Sequence, residues 1–248
     1  MAKPVLMQVP NRLMERVRAN AGRAAYQPDE FSQFQQREAQ ADYHRQQAEI
    51  AKERNDKQIR KLMDRSGVQD IYLAATLDNY ELKHPGQTEA ISMCRRYLAN
   101  FGQFGAKRNM VFCGTTGTGK NHMASAICNA LIASGKSAVV ATALELQMKV
   151  RAARRHDSPM TEDKVISSFA NVDLLVLDEV ELGSAQDYDG KIINTVIDHR
   201  VTKGKGVILL SNMDADNLMP FLGERIADRI VQSFYLVECK WPSYRTSR

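Results

Sequence analysis

Downstream of Ser66-Gly67 the chain alternates short, uninterrupted apolar runs with longer segments in which apolar residues return every three or four positions. Runs such as Leu174 to Leu177 are too continuous for a half-exposed strand and predict strands covered on both faces, as in a parallel sheet. The expected order is helix 87–104, strand 110–113, helix 121–134, strand 137–142, helix 143–155, helix 161–169, strand 174–177, helix 188–202, strand 207–211, helices through Val231 and a last strand 234–238. Strands alternating with helices in this way predict a doubly wound α/β domain. No internal repeat or low-complexity tract interrupts the pattern.

Upstream the pattern changes. Residues 28–65 contain no glycine or proline after Pro28 and are rich in Gln, Glu, Ala, Lys and Arg, which predicts a long exposed helix. Its apolar positions, Phe31, Phe34, Tyr43, Ile50, Ile59 and Leu62, form no sustained heptad. A shorter segment, Asn11 to Ala21, carries Leu13, Met14 and Val17 at helical spacing. Residues 1–65 are therefore expected to form a helical appendage that docks on another protein, and residues 66–248 the main domain.

Composition adds limits. With 248 residues and 44% hydrophobic content the chain can bury a large core, so neither disulfides nor a structural metal is required. Cys94, Cys113, Cys128 and Cys239 are widely spaced in apolar contexts and read as reduced core residues. The five histidines form no pair at zinc spacing. No apolar stretch approaches the roughly 20 residues that cross a bilayer, so no membrane association and a cytoplasmic location are expected. The net charge of +5 favours a polyanionic partner without demanding one.

Candidate chemistry is concentrated where the first predicted strand runs into a helix. There the chain reads Gly114, Thr115, Thr116, Gly117, Thr118, Gly119, Lys120, Asn121. Glycines let such a loop curl until successive backbone N–H groups face one concavity, and the following helix N-terminus adds partial positive charge. Phosphate fits there, and Lys120 can reach the β and γ phosphates. Asn121 stands where the pattern expects a hydroxyl to ligate magnesium; an amide oxygen can still ligate, with altered geometry. His122 is assigned to the same cradle, with helix packing as its other reading.

A second signal lies at the end of the run Leu174 to Leu177, where Asp178 and Glu179 emerge at the carboxyl end of a buried strand. In a parallel sheet that end adjoins the phosphate loop. Asp178 is expected to hold Mg²⁺, and Glu179 to polarise the water that attacks the γ phosphate of ATP. Asn212, closing the next strand, can orient that water. Arg225 and Arg229 are four apart on one helical face, from which an arginine can enter a neighbouring subunit's site. Arg245 can fold back onto bound phosphate.

These motifs together resemble the DnaC-type loaders of the bacterial replicative helicase, within the AAA+ ATPases. The likeness runs from Arg65-Ser66-Gly67 to Tyr244-Arg245 through Asp78-Asn79-Tyr80, GTTGTGKNHMASAICNAL, VDLLVLDE, Ile192-Ile193-Asn194 and LGERIADRI. Loaders of this type also carry GKN, which makes Asn121 a family trait. The resemblance implies an α/β AAA+ P-loop NTPase core, with its parallel sheet between helices, and a small N-terminal helical appendage. It makes Lys120, Asp178 and Glu179 the Walker residues, Asn212 the first sensor, Arg229 the trans-acting arginine finger in preference to Arg225, and Arg245 the second sensor.

It further implies ATP and Mg²⁺ as ligands, ATP hydrolysis, self-association through the ATPase domain, and partners in the hexameric replicative DNA helicase and single-stranded DNA. For the single strand, Lys149, Arg151, Arg154 and Arg155 supply cations for phosphate and Tyr188 a planar group for stacking. The acids Glu181, Asp187 and Asp189 around Tyr188 are a departure from related loaders and oppose DNA there. Two other classes share part of this pattern: a transposition-helper ATPase of the IstB type, and a small-molecule nucleotide kinase, for which no acceptor pocket or basic lid is evident.

Overall fold

The computed structural model describes residues 72–103, 105, 107–155, 158–182 and 188–244, together with scattered helical positions between 37 and 57. The chain divides into two compact units, Met1–Gln46 and Gln47–Arg248. The described positions between 37 and 57 are helical and exposed, as the sparse apolar pattern predicts. The boundary expected at Ser66-Gly67, the segment Asn11 to Ala21 and Arg245 lie outside the described residues.

Within the second unit the elements follow the expected order. They are α1 (Pro85–Asn100), β1 (Asn109–Gly114), α2 (Lys120–Ala133), β2 (Ala138–Thr142), α3 (Ala143–Ala152), α4 (Glu162–Asn171), β3 (Leu174–Asp178), a single 3₁₀ turn (Val180–Leu182), α5 (Tyr188–Thr202), β4 (Gly206–Leu210), α6 (Ala215–Leu222), α7 (Glu224–Ser233) and β5 (Phe234–Cys239). The five strands form one sheet in the order β2-β3-β4-β1-β5. Every pairing is parallel.

The largest differences from expectation at helix ends have local reasons. Helix α1 begins at Pro85, where His84 accepts from the Gly86 N–H and the Gln87 side chain returns to the His84 N–H; proline at the first helical position lacks only an N–H that would go unbonded anyway. It stops at Asn100, not at 104, because Phe101 is extended and Gly102 has φ +85°. Helix α3 likewise ends at Ala152, so Arg154 and Arg155 fall on the turn after it.

Period-two alternation along each strand splits the core into two layers. Val111, Leu175, Leu177, Val207 and Leu209 face one side and pack under α3 to α7. Met110, Phe112, Leu174, Val176, Ile208 and Leu210 face the other and pack under α1 and α2. Both faces being covered explains why the strands read as unbroken apolar runs, each fully buried side chain contributing about 1.5–3 kcal/mol. The thiols of Cys94, Cys113, Cys128 and Cys239 are free and buried. Burial pushes the Cys94, Cys128 and Cys239 thiols up to about 12 and Cys113 to about 11, which keeps them protonated.

No helix among the described residues is long and apolar enough to cross a membrane. What this architecture does for chemistry is bring the carboxyl ends of β1, β3 and β4 side by side, since those strands are neighbours in the sheet.

Candidate nucleotide site

Strand β1 ends at Gly114, with φ +118°, and its N–H donates to the Met213 carbonyl at 2.7 Å. The chain then loops until Gly119, in the left-handed region at φ +86°, opens α2 with no side chain capping its first N–H groups. Uncapped donors at a helix start are an anion site in waiting. Lys120 is buried, and its Nζ donates to the Gly114 and Thr115 carbonyls, both at 2.8 Å. Burial holds its pKa below the usual lysine value. Thr118 Oγ1 closes the loop on the Thr115 carbonyl at 2.9 Å.

The acids of β3 meet this loop. Asn121 Nδ2 donates to Asp178 Oδ2 at 2.7 Å, and the Glu179 N–H donates to Asp178 Oδ1 at 2.8 Å. Because the amide must donate to the carboxylate, Asn121 Oδ1 is turned the other way. Glu179 is the only non-glycine with positive φ among the described residues, at +52°. Such backbone costs about 1–3 kcal/mol and persists where the surroundings dictate it.

Burial raises the pKa of Asp178, and neighbouring Glu181 adds to the rise. Burial also raises Glu179, helped by the charges of Asp178 and Glu181. Acids destabilised by one another attract a cation. Among the described residues no group of three or more His, Cys, Asp or Glu is arranged to hold a metal alone. Mg²⁺ commonly takes one or two protein oxygens and fills its shell with phosphate oxygens and water, and Asp178 is a carboxylate in the cavity that could supply one.

Asn212, just past β4, donates through its backbone N–H (3.1 Å) and Nδ2 (2.9 Å) to Glu181 Oε1. Lys120, Asn121, Asp178, Glu179 and Asn212 all line one cavity of about 510 Å³, whose remaining walls are Thr116 to Gly119, His122, Tyr72, Asn79, Tyr80, Glu81, Gln87 and Tyr244. Residues from three strand ends thus converge as expected.

Other expected residues sit elsewhere. His122 lines the cavity, but its Nε2 lies 3.0 Å from the Thr76 carbonyl and 2.9 Å from Asn79 Oδ1, tying the segment before α1 to α2. Arg229 lies on α7 and pairs with Asp198 of α5 at 3.3 Å, outside the cavity lining. Lys149 and Arg151 occupy the last turn of α3, where cations also complement the helix dipole. Arg154 pairs with Glu162, and Arg155 is exposed. Tyr188 opens α5, with its side chain outside the described atoms, as is that of Arg225.

Several site residues escape sequence reasoning. Tyr80 and Trp241 both donate to the Thr118 carbonyl, at 2.7 and 2.9 Å. Glu181, read from sequence only as an obstacle to DNA, is the partner of Asn212. For Tyr80 the only advance signal is its place in the stretch Asp78-Asn79-Tyr80.

Comparison with known proteins agrees with this geometry. Residues 25–248 match the family described as IstB-like ATP binding protein. The replicative helicase loader DnaC of Buchnera aphidicola subsp. Acyrthosiphon pisum (strain APS) is 34% identical over 79% of this chain and 79% of its own length. The replicative helicase loader DnaC of Escherichia coli (strain K12) is 32% identical over 80% of each. Among solved structures, a crystal structure of the DnaC helicase loader shares the fold with a TM-score of 0.60 at 24% identity, covering 68% of this chain and 98% of the other. The chain therefore belongs to the IstB-like ATP-binding family, as a member of its DnaC-type branch with an AAA+ P-loop core.

Proposed function

We propose that this chain is an ATP-dependent loader that binds the hexameric replicative DNA helicase and delivers it onto single-stranded DNA. The observation that carries the reading is the convergence of Lys120, Asn121, Asp178, Glu179 and Asn212 on one cavity in a chain about one-third identical to DnaC loaders. Lys120 and the loop N–H groups bind the triphosphate. Asp178 and, with its amide turned over, Asn121 would hold Mg²⁺, which would supply charge neutralisation for the phosphates. Glu179 orients and deprotonates the attacking water, and Asn212 fixes Glu181 beside it. The raised pKa of Glu179 suits a base of this kind.

In an assembly of several copies, Arg229 would leave Asp198 to reach a neighbour's phosphates, so that nucleotide state governs subunit contact. Arg245 would act on the phosphates within its own subunit. Residues 1–65 dock on the helicase. Lys149, Arg151, Arg154, Arg155 and Tyr188 would grip the single strand through phosphate charge and stacking.

The test mixes the full chain with the cognate hexameric helicase under ATP or ADP and measures complex mass and transfer onto single-stranded DNA. A stable complex that deposits helicase in a nucleotide-dependent way is the expected result; no complex in either state ends the reading. The alternative of a transposition-helper ATPase is not favoured, since the curated relatives at about one-third identity are DnaC loaders; capture of transposase in place of helicase by the same chain would revive it.

A further inference from the structure

The outer side of the phosphate loop is as closely engaged as its inner side. The Gly117 carbonyl accepts from the Tyr244 backbone N–H at 2.8 Å. The next carbonyl, Thr118, accepts from two side chains, Tyr80 Oη at 2.7 Å and Trp241 Nε1 at 2.9 Å. One donor comes from the segment before α1 and two come from the segment after β5, so parts of the chain 38 and 123 residues from Thr118 meet on one peptide oxygen.

Peptide geometry gives these bonds a consequence. In a planar trans peptide the carbonyl and the following N–H point in opposite directions. Holding the Gly117 and Thr118 carbonyls outward therefore turns the N–H groups of Thr118 and Gly119 toward the concave side, where the phosphates bind. The approach is also close. A Cβ on Gly119 would lie 2.6 Å from the Tyr80 ring, and one on Gly117 would collide with the Ser243 side chain. Both glycines have positive φ, +76° and +86°, so their lack of a side chain serves the turn and the contact together.

We propose that Tyr80 and Trp241 are positioning residues for ATP: they and the Tyr244 N–H form a strap that orients the phosphate-binding N–H groups by holding the Gly117 and Thr118 carbonyls. The strap is itself anchored. Trp241 is 4% exposed and stacks near His84, with ring centroids 6.5 Å apart. Tyr244 Oη donates to Glu81 Oε1 at 3.0 Å, and Lys83 Nζ lies 4.7 Å from the Tyr244 ring centroid. Burial pushes the Tyr80 hydroxyl up to about 12, so it stays a donor across the neutral range. The inference rests on the ATP-binding reading of the cavity and adds to it residues that act through the loop's own carbonyls.

Trp241 is the chain's one tryptophan, so its emission reports on the loop directly. The experiment compares the full-length protein with its Tyr80→Phe and Trp241→Phe variants, each of which keeps an aromatic ring and loses one donor. It reads ATP affinity by calorimetry, KM and kcat for ATP hydrolysis, the unfolding midpoint without nucleotide, and, in wild type and Tyr80→Phe, the change in Trp241 emission on adding ATP. The expected result is a threefold to tenfold weaker ATP affinity in each variant, about what one lost hydrogen bond gives. KM should rise with kcat within about twofold, because the loop N–H groups bind ground state and transition state alike. Wild-type emission should respond to ATP, and less so in Tyr80→Phe.

Variants that bind ATP as wild type does, or an emission unmoved by ATP in a protein that binds it, would overturn the strap while leaving the ATP site intact. A wild type that binds no ATP would overturn both. Should Trp241→Phe unfold, Tyr80→Phe, which loses one oxygen from a half-buried side chain, decides the matter by the same readings.

Discussion

Strand β3 has an aspartate at each end, and the two live in opposite surroundings. Asp173, just before the strand, accepts from the Ser137 N–H (3.0 Å), Ser137 Oγ (2.9 Å) and Lys205 Nζ (2.7 Å). Burial alone would raise its pKa, but the Lys205 and Ser137 bonds prevail and hold it below the usual carboxylate value. Asp178, at the other end, has only amide donors from Asn121 and Glu179, lies near Glu181, and is pushed up by burial. The first carboxylate is neutralised and closed. The second accepts a hydrogen bond from no cation among the described residues, and the nearby Lys120 charge offsets only part of the cost of its burial.

The same contrast extends to the rest of the sheet. At the amino end the buried guanidinium of Arg200 donates to the carbonyls of Phe169, Asp173 and Gly206, which ties α4, β3 and β4 together. Burial brings its pKa down to about 9, still charged at neutrality. Asp173 and Arg200 are thus bonded to charged or carbonyl partners at one end of the strands, while Asp178 at the other end has amide donors alone.

The largest expected effect comes from breaking the Asp178 end. Asp178→Ala and Glu179→Gln should each lower phosphate release at saturating ATP by about a hundredfold or more, since each removes charge handling in the reaction itself. A Glu179→Gln protein that hydrolyses ATP at the wild-type rate would remove its water-activating role.

Asp173→Ala should behave in the reverse manner. It should cost about 1–2 kcal/mol of stability, seen as a lower urea midpoint, with ATP affinity retained; the estimate is modest because Lys205 is partly exposed and its pairing screened. Asp178→Asn should leave the midpoint at neutral pH equal or higher, because it removes a carboxylate held there at a cost. A matching loss of stability in both variants would erase the contrast between the two ends.

Acid titration sharpens it further, with opposite signs. Asp173 has a depressed folded pKa, so its contribution is present above the unfolded value of about 3.9 and is lost as pH falls through the lower folded pKa. Asp178 has a raised folded pKa, so its penalty is complete at neutrality and disappears as pH falls through that value toward the unfolded one. Urea midpoints across the acidic range should therefore lose their upper feature in Asp178→Asn and their lower feature in Asp173→Asn.

The smallest effect concerns the basic turn after α3. If Arg154 and Arg155 both touch DNA phosphate, replacing the two with alanine should flatten the salt dependence of single-strand binding by roughly 1 to 2 units of slope. Arg154 already pairs with Glu162, so it must exchange one anion for another, and the lower figure is expected. An unchanged slope removes both from the interface.

How much of this was legible beforehand follows from the range over which each feature is encoded. The strands were readable because an unbroken apolar run is a local signature of burial on both faces, and the phosphate loop because its glycines and lysine are contiguous. The ends of α1 and α3 were not, since a helix stops where a single residue leaves helical φ and ψ, as Phe101 does. Arg229 could be placed on a helical face by its spacing, yet its partner Asp198 lies on another helix, and no periodicity announces that pairing.

From residue order alone came the alternation of parallel strands with helices, the nucleotide loop and the pair of acids, all written in segments a few residues long, where hydrophobic period and backbone freedom act directly. Folding decided which of the two aspartates flanking β3's apolar run is neutralised, which end of the Asn121 amide faces Asp178, and that Tyr80 and Trp241 close on Thr118. Those outcomes depend on groups brought together across as many as 123 positions of chain. Hydrogen-bond direction and electrostatic balance are properties of such meetings, and they exist only once the sheet has set its strand ends side by side.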